Sequence, residues 1–113
     1  MGIVGLGRIG VAVGRRLRAF SIGRILYTSR TPKREEKELD AKKVDLDELL
    51  KESDVVIACC ALSKETAGMF NSSCFEKMKR TSTFINTSRS FSSFSSFSSS
   101  SFYFPIFMLH PLQ

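Results

Sequence analysis

The chain has 113 residues, 42% of them hydrophobic, with 17 basic against 11 acidic side chains and a formal charge of +6. That is the size of one domain, with enough apolar content for a core. The basic excess stands largely among acids, as in Lys33-Arg34-Glu35-Glu36-Lys37-Glu38. A mixed run of that kind reads as a solvated helix face, and with no helix-turn-helix, zinc or RNA-binding signature it argues against a nucleic-acid partner.

Every Lys, Arg, Asp and Glu lies between residues 1 and 89, and none from Ser90 to Gln113. The chain therefore divides into a folded segment, 1–89, and a Ser/Phe-rich low-complexity tail, 90–113, expected to be unstructured. The apolar stretch Phe102 to Leu109 is broken by Pro105 and falls far short of the ~20 residues of a membrane span. Met1 leads straight into Gly2-Ile3-Val4, so neither a signal nor a transit peptide is expected. Cys59, Cys60 and Cys74 form an odd set without a leader, which suits free thiols, a reducing compartment and a cytoplasmic location. Cys59 and Cys60 read as small packing residues; no metal site is expected.

Met1 to Val4 is a short apolar run stopped by a glycine, the look of a buried parallel strand before a tight turn. From Arg8 to about Phe20, Ile9, Val13, Leu17 and Phe20 recur at helical spacing, which predicts an amphipathic helix closed by Gly23. Ile25-Leu26-Tyr27-Thr28 is a second strand, completing the roughly thirty residues of a βαβ unit. The charged segment Thr31 to Lys43 precedes a short strand around Val44 and a helix from Leu46 to Glu52, with Leu46, Leu49 and Leu50 facing inward. Val55 to Leu62, uninterrupted and rich in Val, Ile, Ala and Cys, reads as a central strand buried on both faces. Ser73 to Lys79 predicts a short helix, and Thr83-Phe84-Ile85-Asn86 a last strand. Strands alternating with helices predict an α/β fold, a Rossmann-type doubly wound parallel sheet of five strands.

The loop Gly5-Leu6-Gly7-Arg8-Ile9-Gly10 is a G-x-G-x-x-G sequence, weak alone but here set between a strand and a helix that a second strand follows. That context aims backbone N–H groups and the positive end of a helix dipole at a pyrophosphate. Gly5 permits the tight turn, Gly7 lets phosphates approach the backbone, and Gly10 lets the helix lie close to the strands. Gly14 would otherwise weaken a helix interior by ~1 kcal/mol relative to Ala. At the end of the second strand, where an NAD-selective site places Asp or Glu, this chain has Ser29-Arg30. With Arg30 and Lys33 able to pair with a 2′-phosphate, NADP(H) is expected ahead of NAD(H).

With these residues go Leu62-Ser63-Lys64-Glu65-Thr66 and Phe84-Ile85-Asn86-Thr87-Ser88-Arg89, and together they make residues 1–89 resemble the NAD(P)-binding domain of the D-isomer-specific 2-hydroxyacid dehydrogenases, in particular the branch acting on glyoxylate and hydroxypyruvate. The resemblance implies that Gly7, Arg8 and Ile9 face the pyrophosphate and that Arg30, Thr31, Pro32 and Lys33 surround the 2′-phosphate. It puts Ala61 and Thr87 beside the nicotinamide half. It makes Arg89 the arginine that binds and orients a small 2-oxo acid, a role suited to a planar, permanently charged guanidinium. It also implies a homodimer.

After Arg89 the family continues with Gly and later supplies an acid and a proton-donating histidine. This chain continues with Ser90, its acids all lie upstream of Arg89, and His110 sits in Leu109-His110-Pro111, outside that motif. The expectation is a truncated cofactor-binding unit that binds without turnover, the tail being read-through or alternative-exon sequence. A non-catalytic dinucleotide-binding or interaction module that uses the tail is the competing reading. A methyltransferase is disfavoured by Ser29-Arg30.

Overall fold

In the computed structural model, the described residues are 1–60, 70–87 and the backbone of strand 106–108. The elements run β1 (Gly2–Val4), α1 (Arg8–Ala19), β2 (Ile25–Thr28), α2 (Glu36–Leu39), β3 (Ala41–Lys43), α3 (Leu46–Glu52), β4 (Val55–Ala58), α4 (Ser72–Glu76), β5 (Thr83–Asn86) and β6 (Ile106–Met108). One six-stranded sheet, ordered β3-β2-β1-β4-β5-β6, holds them, and every neighbouring pair is parallel. The order reverses at β1, which lies between β2 and β4. This is the doubly wound Rossmann-type arrangement expected from the alternation of strands and helices.

Alternate residues of each strand serve opposite faces. On one face Ile3, Ile25 and Tyr27 pack with Leu6, Val11 and Leu39. On the other Val4, Leu26 and Val56 join Leu49 and Leu50 of α3 and Phe75 and Phe84. Both faces are thus covered, the condition that makes parallel strands read as continuous apolar runs. Phe84 stands edge-on to Phe70 at 5.1 Å and to Phe75 at 4.9 Å between centroids. α3 begins at Asp45, whose carboxylate accepts the Glu48 N–H at 2.8 Å, a cap that satisfies one of the orphan amides of a helix start.

Several boundaries depart from the sequence reading. Gly23 does not close α1: the helix stops at Phe20, and Ser21 takes the left-handed conformation at φ 56°. The apolar stripe is not the buried face either. Ile9 is 56% and Phe20 77% exposed, while Gly10, Val11 and Gly14 are buried. The reason lies in α2, a helix hidden in the charged run: a Cβ on Gly14 would stand 2.9 Å from Leu39 Cδ1, so glycine is what admits Leu39. Arg18, an ordinary polar position by sequence, donates to the carbonyls of Leu39, Ile22, Gly23 and Asp40 and ties the end of α1 to the end of α2. The third strand is Ala41–Lys43, ahead of Val44, whose N–H still donates to the Tyr27 carbonyl of β2 at 2.9 Å. β4 closes at Ala58, short of the predicted Leu62.

Ile106–Met108 pair with Phe84–Asn86 as β6, so the sheet has six strands where the sequence reading has five. Edge pairing is made by backbone groups and needs no side-chain period, so patterning could not reveal it. The 89/90 boundary, Ala61, Arg89 and His110 lie outside the described residues. Among the described residues no helix is long and apolar enough to cross a membrane.

Truncating Phe84 to Ala is expected to lower the unfolding free energy by about 3–5 kcal/mol, and Asp45→Ala by about 1 kcal/mol, in urea titrations followed by circular dichroism.

Candidate functional site

Ligands of open parallel sheets bind beyond the carboxyl ends of the strands where the order reverses. Here that crevice lies between β1 and β4. Gly5 leaves β1 with φ 92°, a conformation that favours glycine, and its N–H donates to the Thr28 carbonyl at the end of β2. A Cβ on Gly5 would stand 2.7 Å from Cys60 Cα, so the loop rests on the backbone that follows β4. Leu6 is buried and anchors the loop, while Gly7, Arg8 and Ile9 form its exposed crest.

The glycines separate into distinct jobs. At Gly10 a Cβ would stand 2.4 Å from the Gly5 carbonyl oxygen and 3.3 Å from Ile3 Cγ2, so α1 approaches β1 only because this residue has no side chain. At Gly7 a Cβ would meet nothing within 4 Å. The fold itself does not require glycine there, whereas a pyrophosphate lying over the loop would. Gly7 caps α1 without a side-chain hydrogen bond, and the first turn carries no acid. The amide donors and positive dipole end of this 12-residue helix are thus left for an anion. These observations fit a dinucleotide.

Ser29, Arg30, Thr31, Pro32 and Lys33 follow β2 immediately, next to the Gly5–Thr28 bond. Ser29 Oγ donates to the Thr31 carbonyl, and Lys33 N–H donates to the Tyr27 hydroxyl at 3.2 Å. Arg30, Thr31 and Pro32 are exposed and Lys33 half-buried. Thr87 follows β5, and both its N–H and its Oγ1 donate to the Ala58 carbonyl, at 3.0 and 2.8 Å. It sits at the carboxyl edge beside Cys59, whose Sγ accepts from Thr87 Oγ1 at 3.5 Å. Sequence reading assigned Cys59 and Cys60 to packing; the structure adds that Cys60 is the floor against which Gly5 turns.

Burial pushes the Cys59 thiol above its ordinary range, with the Thr87 hydrogen bond opposing in the smaller sense. A thiol held protonated is a poor nucleophile. Cys59, Cys60 and Cys74 are free, and among the described residues no group of three His, Cys, Asp or Glu could hold a metal. A separate cavity of about 390 Å³, lined by Met1, Arg24, Glu52 and Asp54, lies at the amino ends of the strands. It faces away from the glycine loop and carries none of its chemistry.

The sequence signature described as "D-isomer specific 2-hydroxyacid dehydrogenase, NAD binding domain" matches residues 1–92. The glyoxylate reductase/hydroxypyruvate reductase of Homo sapiens is 48% identical over 90 residues, which cover 79% of this chain and 27% of that protein. Among solved structures, apo D-lactate dehydrogenase from Escherichia coli superposes with a TM-score of 0.73 at 39% identity, covering 78% of this chain and 28% of that one. The NAD-complexed D-isomer-specific 2-hydroxyacid dehydrogenase from Lactobacillus delbrueckii ssp. bulgaricus does so with 0.72 at 26% identity, covering 77% and 26%. The chain thus spans about a quarter of the lengths it matches, and the cofactor class of the site is a nicotinamide dinucleotide.

Gly7→Ala is expected to leave the melting temperature unchanged while weakening dinucleotide binding by about tenfold; Gly10→Ala is expected to lower both. In a Cys60→Ser, Cys74→Ser background, Cys59 is expected to react with a disulfide reagent more slowly at pH 8 than a free cysteine. Its rate should rise only above the ordinary thiol range, because its thiolate forms later.

Proposed function

The chain belongs to the D-isomer-specific 2-hydroxyacid dehydrogenases, and from that premise we propose that it holds NADP(H) in preference to NAD(H). One observation carries the choice. The residues that leave β2 beside the glycine loop are Ser29 and Arg30, so a 2′-phosphate meets a guanidinium where an NAD site presents a carboxylate. Arg30 offers paired N–H donors and Lys33 a point charge, with Thr31 and Pro32 shaping the turn between them. Gly5, Gly7, Arg8, Ile9 and Gly10 hold the pyrophosphate through backbone N–H groups at the start of α1.

When bound, the nicotinamide supplies the hydride. Ala61 and Thr87 border that half of the cofactor in this reading, and Arg89 pairs with the carboxylate of a small 2-oxo acid, glyoxylate or hydroxypyruvate, and orients its carbonyl. The reaction belongs to a longer, homodimeric, cytoplasmic protein of the family that adds a substrate domain, an acid and a histidine. The 113-residue chain contributes the cofactor half and binds without turnover. The likeness to the human glyoxylate reductase/hydroxypyruvate reductase supports the substrate class.

Titrated by cofactor fluorescence, the chain is expected to bind NADPH at least tenfold more tightly than NADH, and Arg30→Asp to cost NADPH about ten- to hundredfold. Equal affinities would overturn the NADP(H) assignment. With glyoxylate added, no NADPH should be consumed; measurable consumption by this chain would overturn the division of labour.

A further inference from the structure

Tyr27 is the one tyrosine among the described strands, and its ring is fully buried among Ile3, Leu6, Val11, Ile25 and Leu39. A buried phenol ordinarily brings its hydroxyl to a polar partner. Here the hydroxyl emerges under the turn that follows β2 and serves two groups at once. It donates to Glu36 Oε2 at 2.5 Å and accepts the Lys33 N–H at 3.2 Å. Glu36 N–H in turn donates to the Lys33 carbonyl at 3.2 Å, closing a small ring of bonds around the turn. Burial, with the Glu36 hydrogen bond beside it, holds the phenol above the usual tyrosine range.

Two consequences follow for a phosphate. The backbone from Ser29 to Glu36 is held before a ligand arrives, which lowers the ordering cost of binding. The Glu36 carboxylate, close in sequence to Arg30 and Lys33, is engaged by a donor, and Glu38 is likewise engaged by Arg15 at 2.6 and 3.0 Å. Like charges near a dianion would otherwise weaken its capture.

We infer that Tyr27 is a positioning residue for cofactor choice: its hydroxyl sets the Arg30–Lys33 turn and restrains the Glu36 carboxylate, so that the turn receives a 2′-phosphate. The inference rests on the NADP(H) reading above. NADH shares the pyrophosphate and lacks the 2′-phosphate, so a residue acting only on the fold would move both affinities, whereas this one moves the ratio.

The test compares NADPH and NADH dissociation constants for the chain and three variants, with thermal melts alongside. Tyr27→Phe, which keeps the ring, is expected to weaken NADPH about five- to tenfold and leave NADH unchanged. Glu36→Gln and Glu36→Met remove the same charge, but only Gln can accept the Tyr27 hydroxyl. The NADPH/NADH preference is therefore expected to be several-fold higher in E36Q than in E36M, a comparison that stands even if Tyr27→Phe folds poorly. Equal loss of both cofactors in Tyr27→Phe, no loss of either, or equal preference in E36Q and E36M would overturn the role of Tyr27. A parent chain that does not discriminate NADPH from NADH would overturn the NADP(H) reading and this inference with it.

Discussion

The approach of α1 to β1 at Gly10 is the constraint on which the site depends. The Gly5 carbonyl occupies the space where a side chain on residue 10 would begin. With that contact allowed, the first turn of α1 projects over the carboxyl end of β1, and its amides face the crevice between β1 and β4. Gly5 completes the geometry by turning sharply on the Cys60 backbone. A bulkier residue at either point would lift the helix, and the dipole and N–H groups would be aimed elsewhere.

The same helix is fixed at its far end by a different device. Gly14 admits Leu39, and Arg18 gathers the carbonyls at the ends of both α1 and α2. α2 is only one turn long and would not persist alone, since a short helix does not repay its nucleation. Its stability comes from Leu39 in the core and from Arg18 and Arg15 outside it. Because α2 is held, the turn that precedes it is held too, and Tyr27 completes the restraint from below. The glycine loop and the turn after β2 are thus held by two neighbouring structures, one built on glycine sterics and the other on a buried phenol.

The sheet ends differently on its two sides. β3 carries the charged sequence Ala-Lys-Lys and is largely exposed, a composition that discourages further pairing. β5 carries the buried Phe84 against two other rings, and its outer edge is taken by β6. In a chain spanning about a quarter of its relatives' lengths, the backbone groups of that edge find partners in a segment whose composition gave no sign of it.

Much of the architecture was legible in the residues. The order of strands and helices, the glycine loop at the head of α1 and the Ser29-Arg30 exit of β2 all rest on local pattern: apolar runs for strands buried on both faces, glycines where backbone must turn or approach. Tertiary structure decided what local pattern cannot carry. It chose Gly10, Val11 and Gly14 over Ile9, Val13 and Phe20 as the packed face of α1, because Leu39, far along the chain, fills that side. It made a helix of Glu36–Leu39 inside a charged run, gave Arg18 and Tyr27 their partners, and added β6. Periodicity records what each residue does within its own element. Which element it will touch depends on steric fit and hydrogen bonding between segments brought together only by the sheet.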